Sequence, residues 1–151
     1  MAVNTGKVIA GGLVAGVVAA VCDTVVFGFL LKDRMAAEMN ALNPKLAEHM
    51  MAPASMAFGI GGDLVIGLLL VWIYAAIRGT YGPGPKTAAR SALVIWVAFG
   101  VVYGGMTASG MYSWHFFFVA SVVGLVNVLL AAMAGCSLYK EIREGGTGNR
   151  E

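Results

Sequence analysis

Residues 91–139 contain no Asp, Glu, Lys or Arg. An uncharged apolar run of that length exceeds the roughly 20 residues that cross about 30 Å of hydrocarbon, so it must fold back on itself. Ser109-Gly110-Met111-Tyr112-Ser113 supplies the turn, because Gly and Ser punctuate loops. Two further apolar stretches precede it. The expected spans are therefore 8–31, 54–77, 91–110 and 115–138, an all-α integral membrane four-helix bundle. With 59% hydrophobic and 12% charged residues, the chain is unlike an ordinary soluble domain. Residues 1–144 read as one membrane domain and 145–151 as a flexible cytoplasmic tail. The first span is too long for the core of a cleavable signal peptide.

Lys and Arg set the orientation. Seven lie on the side of the termini (Lys7, Arg78, Lys86, Arg90, Lys140, Arg143 and Arg150), against Lys32, Arg34 and Lys45 on the other. The positive-inside rule then puts both termini in the cytoplasm. Trp72, Tyr74, Trp96 and Tyr139 are expected near the inner ends, and Tyr112, Trp114 and Phe116 near the outer ends. The first loop, 32–53, places Met35, Met39, Leu42, Leu46 and Met50 at helical spacing with Pro44 in the middle. One or two short helices lying in the outer interface are expected there. The second loop, 78–90, reads as a stiff cytoplasmic turn carrying Gly82-Pro83-Gly84-Pro85. Cys22 and Cys136 fall in opposite halves of the membrane and read as buried thiols.

Asp23 and Asp63 interrupt the first two spans. A carboxylate in hydrocarbon costs about 3 kcal/mol or more, so each must face protein or water. Each lies eight residues from the expected outer end of its span, about 12 Å deep, which predicts one common height. Residues three and four apart share a helix face. The stripes are Gly12, Gly16, Ala19, Asp23; Gly59, Asp63, Gly67; Gly100, Tyr103, Gly104, Thr107; and Ala120, Gly124, Asn127, Ala131, Gly135. The expected polar cluster is Asp23, Asp63, Tyr103, Thr107 and Asn127. Helix packing is expected at Gly12, Gly16, Gly59, Gly67, Gly100, Gly104 and Gly124, since small residues let backbones approach. Without a Lys or Arg in these spans, at least one of the two acids should keep its proton at neutral pH.

His49, Met50, Met51 and His115 are weak candidates for metal ligation, because thioethers and imidazole suit Cu(I). The bland alternative is an apolar interfacial surface with a boundary histidine, so no metal and no cofactor is expected. Nucleophile, phosphate-loop and zinc motifs are lacking, and no catalytic residues are assigned. The expected partners are the lipid bilayer and other membrane subunits or a second copy, and not nucleic acid. The leading expectation is a non-enzymatic accessory subunit or homo-oligomer acting by helix packing. The alternative is a proton- or cation-coupled transporter or channel using Asp23 and Asp63.

Three segments carry a resemblance. They are Phe29-Leu30-Leu31-Lys32-Asp33, the stretch Val71-Trp72-Ile73-Tyr74-Ala75-Ala76-Ile77-Arg78 with Tyr81-Gly82-Pro83-Gly84-Pro85-Lys86-Thr87-Ala88, and Leu138-Tyr139-Lys140-Glu141. They resemble those of small bacterial four-span inner-membrane proteins of unknown function. The resemblance implies a four-helix architecture in a bacterial cytoplasmic membrane. It implies no activity and no site residues.

Overall fold

The computed structural model describes residues 3–139 and is helical throughout apart from short connections. Lys140, Arg143, Arg150 and the 145–151 tail lie outside the described residues. Helix α1 (Thr5–Val25) continues through a π-helical turn at Val26–Leu30. Two short helices follow, α2 (Lys32–Leu42) and α3 (Leu46–Met50). Then come α4 (Pro53–Tyr81), α5 (Pro85–Ala108) and α6 (Trp114–Ser137). Four helices, Thr5–Leu30, Pro53–Tyr81, Pro85–Ala108 and Trp114–Ser137, are long and apolar enough to span a membrane. Going round the bundle, α1 lies beside α4 and α6, and α5 closes the ring between them.

The spans differ from expectation mainly at the end that carries the termini. The loop expected over 78–90 shrinks to Gly82, Pro83 and Gly84. Gly82 takes φ 79°, which ends α4, and Pro85 starts α5 at a position whose missing N–H costs nothing. Arg78 and Arg90 are therefore helical. Arg78 donates to the Tyr139 carbonyl at 3.1 Å, and the Asn4 N–H donates to the Tyr139 hydroxyl at 3.2 Å. Tyr74 and Tyr139 meet edge to face at 6.0 Å, with the Arg78 guanidinium over both rings. These contacts hold Asn4, the α4–α5 turn and Tyr139 together at one end of the bundle, its inner end.

Trp96 is not an inner-end anchor. It lies eleven residues into α5, and its indole N–H donates to the Ser121 carbonyl of α6 at 2.8 Å. The helix begins at Pro85, six residues before the expected start at Ser91.

The main core fills the inner half. Val8, Ala15, Leu70, Val71, Ala92, Ala131, Ala132 and Cys136 are buried there, with Leu70 and Val71 at 0% exposure. A second, smaller cluster caps the outer end. Met35 and Met39 of α2, at 5% and 8% exposure, pack on Phe116 together with Phe27, Leu31 and Tyr112. This part of the methionine stripe is thus packed on protein, while Met50 and Met51 remain exposed. His115 Nδ1 lies 2.8 Å from the Glu38 Oε1 and ties α2 to the start of α6. An exposed pair of this kind is worth little globally, within about 1 kcal/mol. His115→Ala should therefore leave overall stability nearly unchanged. It should speed hydrogen exchange in α2 several-fold, measured by mass spectrometry in detergent micelles, and unchanged α2 exchange would show that the methionine contacts alone hold the cap.

Candidate functional site

The seams between helices decide where the polar groups fall. A Cβ on Gly12 would sit 2.7 Å from the Leu68 Cα, and one on Gly16 2.6 Å from the Leu64 Cα. A Cβ on Gly67 would collide with the Gly12 carbonyl and the Gly16 nitrogen. These three glycines let α1 and α4 touch backbone to backbone. A Cβ on Gly11 would lie 2.6 Å from the Gly135 carbonyl oxygen, so Gly11 and Gly135 do the same for α1 and α6. Gly11 was not among the expected packing positions. Gly59, Gly100 and Gly124, which were, have no atom within 4 Å of where a Cβ would stand. Gly104 makes only ordinary contact with the Phe117 ring, at 3.6 Å. The sequence pattern marks small residues, but only a close neighbour turns one into a contact.

The same seam corrects the height of the acids. Gly16 faces Leu64 and Gly12 faces Leu68, and each step up α1 is a step down α4. Asp63 therefore lies opposite Val17, about six residues or roughly 9 Å nearer the inner end than Asp23. Counting from helix ends assumed that both spans begin at one plane, whereas the glycine seam fixes the register. Their side chains lean toward each other, because Cβ tilts toward a helix N-terminus and the two helices are antiparallel. Asp63 remains within electrostatic reach of Asp23.

Asp23 finds its partner on α6. The Asn127 amide nitrogen donates to the Asp23 Oδ1 at 2.7 Å and to the Ala19 carbonyl at 3.2 Å. Asn127 is 6% exposed, so this clamp is inside the protein. Tyr103 does not share it. Its ring instead joins a row with Phe99 at 6.3 Å and Tyr112 at 6.0 Å, and Tyr112 stacks on Phe116 at 4.9 Å. Tyr103 also lies within electrostatic reach of both acids. Thr107 is buried, and neither its hydroxyl nor the Asn127 side-chain oxygen has a hydrogen-bond partner among the described residues. Thr24 is exposed. The structure thus brings Asp23, Asn127, Asp63 and Tyr103 into one region and gives only the first two a direct bond.

Asp63 is half-buried and makes no hydrogen bond among the described residues. Its surroundings are open on the outer side. On α4 residues 53–61 are all exposed, and burial begins only at Gly67. On α5 nothing is buried between Ile95 and Thr107. The outer part of α4, residues 53–61, therefore stands exposed on every face, with Asp63 at its base and Asp23 and Tyr103 within electrostatic reach of that acid.

The weak metal candidates divide between the end of α3 (His49, Met50 and the following Met51) and the start of α6 (His115). His49 Nδ1 lies 2.9 Å from the Lys45 carbonyl oxygen, and His115 is engaged by Glu38. Among the described residues no three His, Cys, Asp or Glu side chains come together to hold an ion. Cys22 and Cys136 are free thiols. The chain matches no family model, no curated protein and no solved structure.

Proposed function

We propose that this chain is a non-enzymatic integral membrane protein that works by helix association, as an accessory subunit of a larger membrane assembly. The observation that carries the reading is the unequal packing of the bundle. The inner half is closed, whereas α4 offers no buried residue before Gly67. A helix face inside a bilayer gains little from burial against lipid, so association there rests on close packing and polar contacts. The bare glycines Gly59 and Gly100 and the unbonded Asp63 offer both.

Proton- or cation-coupled transport is the second reading, supported by two acids and Tyr103 within electrostatic reach of one another. A path through a single copy would have to cross the inner core, where Ala15, Leu70, Val71, Ala92, Ala131 and Ala132 are at 0% exposure. That plug favours association. The excess of Lys and Arg beside the termini supports a cytoplasmic location for both ends, and the resemblance supports a bacterial inner membrane.

Native membranes solubilised in mild detergent test the proposal. The full chain should migrate with a defined set of membrane subunits at fixed stoichiometry. A chain recovered as a lone monomer under conditions that keep other membrane complexes whole would defeat it.

A further inference from the structure

We infer that the exposed outer part of α4, ending at Asp63, receives one transmembrane helix of a partner subunit, and that this helix carries a Lys or Arg at the depth of Asp63. The inference rests on the association reading and names the chemistry of the partner.

Charge decides the occupant. Asp63 lies at the base of this exposed segment, and the outer half of no span contains a Lys or Arg. The basic residues of the spanning helices, Lys7, Arg78, Lys86 and Arg90, all sit at the inner end. A second copy in the same orientation would bring acid against acid, which is unfavourable. A cationic side chain from another protein would supply the missing partner. Asp23 already accepts from Asn127, so Asp63 is the free carboxyl.

Shape agrees with charge. Gly59 precedes Asp63 by one helical turn on the same face, and Gly62 and Gly100 likewise have no atom within 4 Å of a Cβ position. A partner backbone can approach along this glycine-lined face while its long basic side chain reaches down to Asp63. The stem of a Lys or Arg is apolar and would lie against the Tyr103 and Phe99 rings, with the cation free to sit over one of them. A bare metal ion fits less well. Ca2+ and Mg2+ take six or more oxygen ligands at about 2.0–2.6 Å, whereas among the described residues no three His, Cys, Asp or Glu side chains come together and the two acids lie at different heights.

The test uses the full chain in zwitterionic vesicles with synthetic Leu/Ala transmembrane peptides that lack Trp and carry a dansyl group. Energy transfer from Trp72, Trp96 and Trp114 reports association. The peptides differ only at the central residue, which is Lys, Gln or Leu. The Lys peptide should associate at least about tenfold more tightly than the Gln peptide, as an interhelical polar contact at the upper end of its range allows. Asp63→Asn should erase that preference, and Asp63→Glu should keep it. The Asp63 side chain makes no hydrogen bond among the described residues, so Asp63→Asn should fold, and its circular dichroism and unfolding midpoint verify this. Equal binding of the Lys and Gln peptides would overturn the charged partner while leaving helix association standing. A Lys preference that survives Asp63→Asn would also overturn it. So would self-association of the chain in place of peptide binding. If no peptide binds and the chain leaves native membranes alone, both proposals fall.

Discussion

Gly67→Ala should unfold the bundle far more readily than any other glycine-to-alanine change in α4. The new methyl group would have to enter the space held by the Gly12 carbonyl and the Gly16 nitrogen, which are backbone atoms and cannot rotate away. Either α1 and α4 separate or both helices bend. Overpacking costs about 1–3 kcal/mol where side chains can yield, so a clash with two backbones should reach about 3 kcal/mol or more. Separation would also strip contacts from Leu70 and Val71, the most fully buried large side chains of the inner core. Gly59→Ala provides the control. It lies eight residues away on the same face, has open space around it, and should be neutral or stabilise by up to about 1 kcal/mol through helix propensity. Unfolding in mixed micelles with increasing denaturing detergent measures both. Equal effects of the two changes would mean that the α1–α4 seam is not where the structure puts it.

Breaking the Asp23–Asn127 clamp from one side should come next in size. Asn127→Ala removes the amide that donates to the Asp23 Oδ1 and leaves that acid part-buried with no donor. Loss of a hydrogen bond to a charged or strongly polar buried group costs about 1.5–3 kcal/mol, to which the lost packing adds. Asp23→Leu alone should cost less, since it strands only a neutral amide that keeps the Ala19 carbonyl as acceptor. Asp23→Leu with Asn127→Leu should recover most of the loss, because replacing both partners of a buried polar pair by apolar groups is often close to neutral. A double-mutant cycle by the same unfolding measurement gives the coupling. Strictly additive effects would show that the two residues do not act on each other. A recovered double variant would separate the clamp from the exposed face of α4, since neither change touches the carboxyl of Asp63.

The four spans were legible because hydrophobic length is a property of each segment alone. Register was not, because it belongs to pairs of segments. Gly59 and Gly67 stand one turn either side of Asp63 and look alike in sequence, yet one faces empty space and the other lies against α1. Helical periodicity gives a face but not the helix that meets it. The heights of Asp23 and Asp63 therefore came out equal from counting and unequal from contacts. Asn127 was legible as a polar group on the small-residue stripe of its helix, and it does meet Asp23. Tyr103 was legible as a neighbour of the acids but not as a member of an aromatic row. Its ring partner Phe99 stands one turn earlier on the same face but outside the small-residue pattern, and Tyr112 lies in the turn. Trp96 lies deeper than counting from Ser91 implies because Pro85, which looks like part of a loop, begins a helix.

The uneven packing of α4 has a mechanical consequence. Its inner segment is clamped between α1 and α5, and its outer segment is a free lever whose base contains Gly59, Gly61 and Gly62. Only Met51 and Ala52 separate the tip of that lever, at Pro53, from α3, and α2 lies just beyond with Met35 and Met39 seated on Phe116. Swinging the lever would tug on this lid without disturbing the clamped base. Occupancy within the membrane would thereby be felt at its surface.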